Sequence, residues 1–142
     1  MALQEVMFHT GVADVPAHVA RLAAKVLRSG ETMAVLCAAH EVDAIDAALW
    51  QLDKTSFVPH AQPGASAAVL ACSPIAIVTQ LDGLGPNMSK RLLSTLQTWV
   101  DGCEAFDKLI EVVSPQGTVD ARQRWKRYAQ MNLKLSNTAV NQ

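Results

Sequence analysis

Met33-Ala-Val-Leu-Cys37 is a run of five apolar residues with no charge among them. An uninterrupted run of this kind is typical of a central strand that is buried on both faces. Before it, Glu5–His9 is a second candidate strand, and Pro16–Arg28 repeats apolar residues at helical spacing. After it, Glu41–Gln51 has the same helical spacing. Strand, helix, strand and helix joined by short links predict an α/β domain.

The rest of the chain gives weaker signals. Ser89–Val100 suits a helix or a buried strand, because periodicity alone does not separate the two for a short apolar run. The other predicted elements are, in order, a loop over Ala61–Ser73, a strand over Pro74–Gln80, a turn at Asp82–Pro86, a helix over Asp101–Lys108, a last strand over Leu109–Val113, and a turn at Pro115–Gly117 that leads into a basic helix capped by Thr118.

Bulk composition restricts the class of protein. A chain of 142 residues, half of them apolar, predicts one domain over 1–142 with a real core. No apolar run approaches the roughly 20 residues of a membrane span, and an acid near the N-terminus argues against an export signal. Three widely spaced cysteines fit reduced thiols, so we expect a cytoplasmic protein. The four histidines are not at metal-ligand spacing, and we expect no metal site.

Charge is concentrated at the C-terminal end. The segment from Ala121 to Gln142 holds five basic residues and no acid, whereas the preceding 120 residues hold 7 basic and 13 acidic residues. Trp125 and Tyr128 lie among these bases, and aromatic rings beside guanidinium groups are good anchors for a partner. The pattern predicts that this end of the chain receives an acidic partner.

Signatures of catalysis are absent from the sequence. There is no phosphate loop with a Gly-Lys-Ser/Thr ending, and Gly83-Leu-Gly85 lacks the third glycine of a dinucleotide fingerprint. No serine lies in a Gly-x-Ser-x-Gly elbow. The sequence therefore predicts no catalytic residue and no cofactor.

Two blocks of sequence carry a family resemblance. One is Asp46-Ala-Ala-Leu-Trp-Gln-Leu-Asp-Lys-Thr-Ser-Phe-Val-Pro-His60, and the other is Ala121-Arg-Gln-Arg-Trp-Lys-Arg-Tyr128 with the later pairs Asn132-Leu133 and Asn137-Thr138. Together they resemble the chi subunit of the bacterial DNA polymerase III holoenzyme, over nearly the whole chain. The resemblance implies a Rossmann-like, three-layer α/β fold with a mostly parallel central sheet and no phosphate-binding loop. It also implies a strand over Arg91–Leu96.

The same resemblance implies two protein partners. One is the psi subunit, which links chi to the clamp loader and faces an aromatic pair that matches Trp50 and Phe57. The other is the acidic C-terminal tail of single-stranded DNA-binding protein, whose contacts on the last helix match Arg122, Trp125 and Lys126. Nucleic acid would be reached mainly through these partners, and we expect no membrane partner. Whether a repair helicase shares the psi face is left open.

Helical spacing supports the tail-binding set, because Arg122, Trp125 and Lys126 are three and four residues apart and share one patch. Arginine offers a planar fork to a terminal carboxylate, and lysine adds a point charge for the preceding acids. The alternative is that Trp125 packs inward, as aromatic residues of amphipathic helices usually do. For Trp50 and Phe57 the alternative is also core packing.

Three functional hypotheses follow. The leading one is an interaction module that joins the clamp loader to protein-coated single strands. The second is direct binding of single-stranded nucleic acid by the basic helix, with bases stacked on Trp125 and Tyr128. A net charge of -1 argues against the second, because nucleic-acid-binding domains usually carry a basic excess. The third, an unrecognised α/β enzyme, lacks any visible set of convergent catalytic groups.

Overall fold

Seven strands form one sheet in the computed structural model, which describes residues 3–51, 59–82, 84, 88 and 90–140. The strands are β1 (Glu5–Thr10), β2 (Met33–Leu36), β3 (His60–Ala61), β4 (Ile75–Val78), β5 (Arg91–Ser94), β6 (Lys108–Val112) and β7 (Lys134–Ala139). Their order is β3-β4-β2-β5-β6-β1-β7, and each pairing between them is parallel. The predicted α/β fold is confirmed, and β5 shows that Arg91–Ser94 in the ambiguous segment is a strand.

Helices cover both faces of the sheet. They are α1 (Val15–Arg28), α2 (Val42–Gln51), α3 (Ala67–Cys72) and α4 (Thr118–Ala129). Alternate residues of β2 enter two separate cores: Met33 and Val35 pack with α1 and α2, whereas Ala34 and Leu36 belong to the core under α4. All four residues of β2 are buried, as the uninterrupted apolar run predicted. The result is the three-layer arrangement implied by the family resemblance.

Local chemistry explains where the first helix begins and ends. The Asp14 carboxylate accepts a hydrogen bond from the Ala17 backbone N–H at 3.1 Å, and Pro16 lies in the first turn, where a missing N–H costs nothing. Lys25 and Arg28 lie in the last turn, where positive charge stabilises the helix dipole. This helix therefore matches its sequence prediction closely.

The predicted loop over Ala61–Ser73 is wrong in part, because it contains α3. The Ser66 hydroxyl caps this short helix by accepting from the Val69 backbone N–H at 3.3 Å. Alanine and leucine then favour the helical conformation. The prediction failed because the helix has only six residues and is flanked by Gly, Ser and Pro residues, which are typical of a loop.

The predicted helix over Asp101–Lys108 is also wrong. Gly102 has a positive φ of 90°, which interrupts the segment, and only a 3-10 turn forms over Cys103–Ala105. Lys108 already belongs to β6. The apolar residues Cys103 and Phe106 of this segment are buried, but they belong to a turn that packs on the sheet and not to one face of a helix.

The chain after α4 contains a strand that the sequence did not predict. Asn132, at a φ of 54°, turns the chain, and β7 then pairs in parallel with β1 at the edge of the sheet. The predicted strand over Leu109–Val113 corresponds to β6, Lys108–Val112, but it is not the last strand. Thr118 is also not the cap of α4: Gly117 holds that position, and the Thr118 hydroxyl donates to the Pro115 carbonyl at 3.1 Å.

No helix within these described ranges is long and apolar enough to cross a bilayer. The predicted turn at Asp82–Pro86 lies largely outside the described residues, which include only Asp82 and Leu84 of it.

Candidate functional site

An open groove of about 450 Å³ lies between α4 and the C-terminal ends of β1 and β7. The residues that line it are Phe8, Thr10, Gly11, Thr118, Ala121, Arg122, Trp125 and Asn137. Two of the three residues predicted to bind an acidic tail, Arg122 and Trp125, thus line one cavity. Lys126 is exposed on the same helix, four residues after Arg122, but is not part of the lining.

Trp125 is half-buried at the side of the groove. Its ring meets the ring of Phe8 edge to face, with centroids 5.3 Å apart and planes at 63°. Phe8 is 2% exposed and belongs to the core under α4. The indole therefore packs on Phe8 with one edge, while part of it is exposed to solvent. This is intermediate between a ring packed in the core and a fully exposed anchor, the two alternatives that the sequence allowed.

Arg122 is the available cation of the groove. Its side chain is exposed, and no ion pair or side-chain hydrogen bond joins it to any residue that the structure describes. A guanidinium beside an aromatic ring, in an open groove, can receive a carboxylate in the bidentate geometry that arginine favours.

A different arginine of α4 is buried. Arg124 is 4% exposed, and its Nε donates to Oε2 of Glu111 on β6 at 3.2 Å. The Tyr128 hydroxyl donates to the same oxygen at 2.7 Å. Burial raises the pKa of the Glu111 carboxyl, while the charge of Arg124 and the Tyr128 hydrogen bond oppose that rise. These three side chains attach α4 to the sheet.

The basic charge that α4 offers to a partner is thereby reduced. Arg127 lies over the ring of Trp99, with its guanidinium carbon 3.7 Å from the ring centroid. Because Arg124 is buried as well, Arg122 and Lys126 are the bases of this helix that remain exposed without such an engagement in the described chain. The charge count of the C-terminal segment overestimated what is free.

The remaining groove residues were not predicted as site residues. Thr10 and Asn137 contribute polar atoms, and the Thr10 hydroxyl donates to the Asn137 amide oxygen at 3.1 Å. Phe8 forms the apolar floor, directly beside Asn137 in the β1–β7 register. Of these three residues, only Asn137 had a sequence signal, as part of the Asn137-Thr138 pair in the family resemblance. The sequence did not indicate that it lies beside the groove, because the pairing of β1 with β7 is not visible in the sequence.

The second predicted surface is described only in part. Trp50, in the last turn of α2, is 56% exposed, so core packing does not account for it. Its ring lies edge to face with that of His60, at 5.8 Å between centroids. Phe57, its predicted companion, lies outside the described residues. The structure therefore supports an exposed aromatic residue here and leaves the pair as a prediction.

The described residues offer no candidate metal cluster, and their two buried cysteines are not activated. No cluster of three or more His, Cys, Asp or Glu side chains suited to a metal occurs among the described residues. Cys37 and Cys103 are buried, and burial, with nearby carboxylates, raises the pKa of each thiol to about 11. They are protonated at neutral pH and are poor nucleophiles.

Comparison with protein families decides the identity of the chain. The family model described as DNA polymerase III chi subunit, HolC, matches residues 3–136. The chain belongs to the DNA polymerase III chi subunit family. No curated protein matches it at a significant level. Family membership assigns the chain to DNA replication, as a component of the DNA polymerase III complex.

The groove beside α4 and the exposed Trp50 are formed by different elements. The groove is formed by β1, β7 and α4, and the Trp50 surface is formed by α2 and β3. These elements lie at opposite edges of the sheet, since β7 ends one side and β3 the other.

Proposed function

We propose that this chi-family chain is a non-catalytic, cytoplasmic accessory subunit that acts as one domain and bridges two other proteins. One partner is the psi subunit of the clamp loader, and the other is the acidic C-terminal tail of single-stranded DNA-binding protein. The observation that carries the proposal is the groove beside α4, which combines the half-buried ring of Trp125 with an exposed Arg122 that pairs with none of the described residues.

The chemistry of the groove suits such a tail. Arg122 would pair with the free terminal carboxylate, the last phenyl ring would pack against Trp125 over the floor formed by Phe8, and Lys126 would attract the preceding acids. Since the contact joins exposed charges of opposite sign, we expect added salt to weaken it.

Direct stacking of nucleic-acid bases finds less support. The second hypothesis placed bases on Trp125 and Tyr128, but Tyr128 is fully buried and donates its hydroxyl to Glu111. With Arg124 also buried, the exposed basic surface of α4 is small for a nucleic-acid site. Contact with single strands through a bound protein partner remains the better account.

Arg122→Ala is expected to weaken binding of a peptide that ends in Asp residues, Pro and Phe by about 1–3 kcal/mol, or about 5- to 150-fold in Kd, because a charge-assisted contact is lost. Fluorescence anisotropy with a labelled peptide measures this. Arg28→Ala is the matched control, since Arg28 is exposed on α1, on the other face of the sheet.

Amidation of the peptide sharpens the test. If Arg122 binds the terminal carboxylate, amidation weakens binding to the unmodified protein and has little further effect on Arg122→Ala. Equal losses on amidation in both proteins would assign the carboxylate to another group, and an unchanged Kd for Arg122→Ala would remove the groove from the proposal.

Trp50→Ala is expected to weaken psi binding by about 2 kcal/mol or more, roughly 30-fold, since exposed tryptophans at interfaces are frequent hot spots. Peptide binding should be unchanged. Arg122→Ala is the reciprocal control, with psi bound normally and peptide lost. Co-purification and calorimetric titration with each partner give the readout. If either variant weakened both interactions equally, the two surfaces would not be separate.

A further inference from the structure

The surroundings of Trp50 suggest more than an exposed aromatic ring. Asp46 lies one helical turn before Trp50 on α2, so both side chains share one face of the helix. The Asp46 carboxylate lies 2.6 Å from Nε2 of His60, whose side chain is only 3% exposed. His60 belongs to β3 and pairs with Ile75 of β4, so the imidazole is carried by the sheet.

The contact with His60 also affects the ionisation of Asp46. Partial burial favours the neutral carboxyl, but the hydrogen bond with His60 and the neighbouring polar groups outweigh that effect, and the pKa of Asp46 is lowered. The His60 ring lies edge to face against the indole of Trp50, at 5.8 Å between centroids and 73° between planes. One side of the indole is therefore packed on a nearly buried ring, and 56% of the residue is exposed.

We propose that Asp46 and His60 are positioning residues that hold the Trp50 indole in the orientation in which the psi subunit binds it. This inference rests on the proposed function of the Trp50 surface. An indole held in one rotamer loses less conformational entropy on binding than a free one.

The exposed part of Trp50 is apolar, whereas the groove beside α4 carries the exposed cation Arg122. An apolar segment of psi would suit the first surface, and an anion would suit the second. The two surfaces would therefore select partners by different chemistry.

The test compares Asp46→Ala, Asp46→Asn and Trp50→Ala in the full-length chain. We expect Trp50→Ala to weaken psi binding about 30-fold and Asp46→Ala about tenfold, which corresponds to the loss of one charge-assisted hydrogen bond. Asp46→Asn keeps an acceptor oxygen for His60 and should stay within about threefold of the unmodified protein. In a Trp50→Ala background, where no indole is left to be positioned, Asp46→Ala should have a smaller effect.

A second readout reports on the indole directly. With 5-fluorotryptophan incorporated at all three tryptophans, the signal that disappears in Trp50→Phe belongs to Trp50. We expect that signal alone to shift and broaden in Asp46→Ala, with the acidic peptide bound as before.

The outcomes distinguish failure of the positioning role from failure of the proposed psi-binding surface. Normal psi binding by Trp50→Ala would overturn the surface and the inference together. Weak binding by Trp50→Ala with unchanged binding by Asp46→Ala would overturn the positioning role alone. Loss of both psi and peptide binding in Asp46→Ala would assign Asp46 to general stability and likewise overturn it.

Discussion

Replacing Arg124 with alanine is expected to lower the free energy of unfolding by about 3–5 kcal/mol, the usual cost of removing one partner from a buried ion pair. The substitution leaves the Glu111 carboxylate fully buried, and the Tyr128 hydroxyl is then its only side-chain donor among the described residues. An uncompensated charge at this depth is far more costly than the lost contact itself. Urea denaturation followed by circular dichroism measures the change.

Arg122→Ala provides the matched control. It removes the same side chain from the same helix at an exposed position, so the free energy of unfolding should stay within about 0.5 kcal/mol. The double variant Glu111→Leu with Arg124→Leu removes both charges, and we expect it to be much more stable than Arg124→Ala. If Arg124→Ala cost no more than Arg122→Ala, the buried pair would not contribute to stability.

The loss of stability in Arg124→Ala should increase with pH. Burial already raises the pKa of Glu111, and removing the positive charge of Arg124 raises it further. A carboxyl whose pKa is higher in the folded state favours folding at low pH, and this contribution is lost as pH rises through the folded pKa. The deficit of Arg124→Ala should therefore be larger at pH 8 than at pH 5, whereas for Arg122→Ala no such trend is expected.

The sequence predicted those elements whose signal is local. Pro16–Arg28 has both helical periodicity and terminal residues suited to a helix, and Met33–Cys37 is apolar throughout, because both faces of that strand are covered. α3 and β7 were missed for physical reasons. α3 is too short to show periodicity, and β7 is an edge strand whose polar residues need no burial.

The candidate site shows the same division. Arg122 and Trp125 are neighbours on one helix, and their spacing is visible in sequence. Phe8 and Asn137 meet only because β1 pairs with β7, which joins the two ends of the chain. For Arg124 there was a weak signal: Glu111 interrupts the otherwise apolar run Leu109–Val113, and a charge in a buried strand needs a partner.

Phe8→Ala is expected to cost about 3–5 kcal/mol of stability and also to abolish most peptide binding. Phe8 is buried at 2% exposure and contacts two rings of α4, those of Trp125 at 5.3 Å and Tyr128 at 5.8 Å. Deleting it removes apolar contact and leaves a cavity that the sheet cannot close. The same cavity opens beneath the groove, so Trp125 loses the ring that supports it.

Phe106→Ala separates these two effects. Phe106 is 4% exposed in the same core but does not line the groove, so its loss should destabilise the protein by a similar amount. When peptide binding is measured well below each variant's melting temperature, Phe106→Ala should bind normally and Phe8→Ala weakly. Equal binding by the two variants would show that the phenyl ring of Phe8 acts only in the core, and the groove would then have a floor that the peptide does not use.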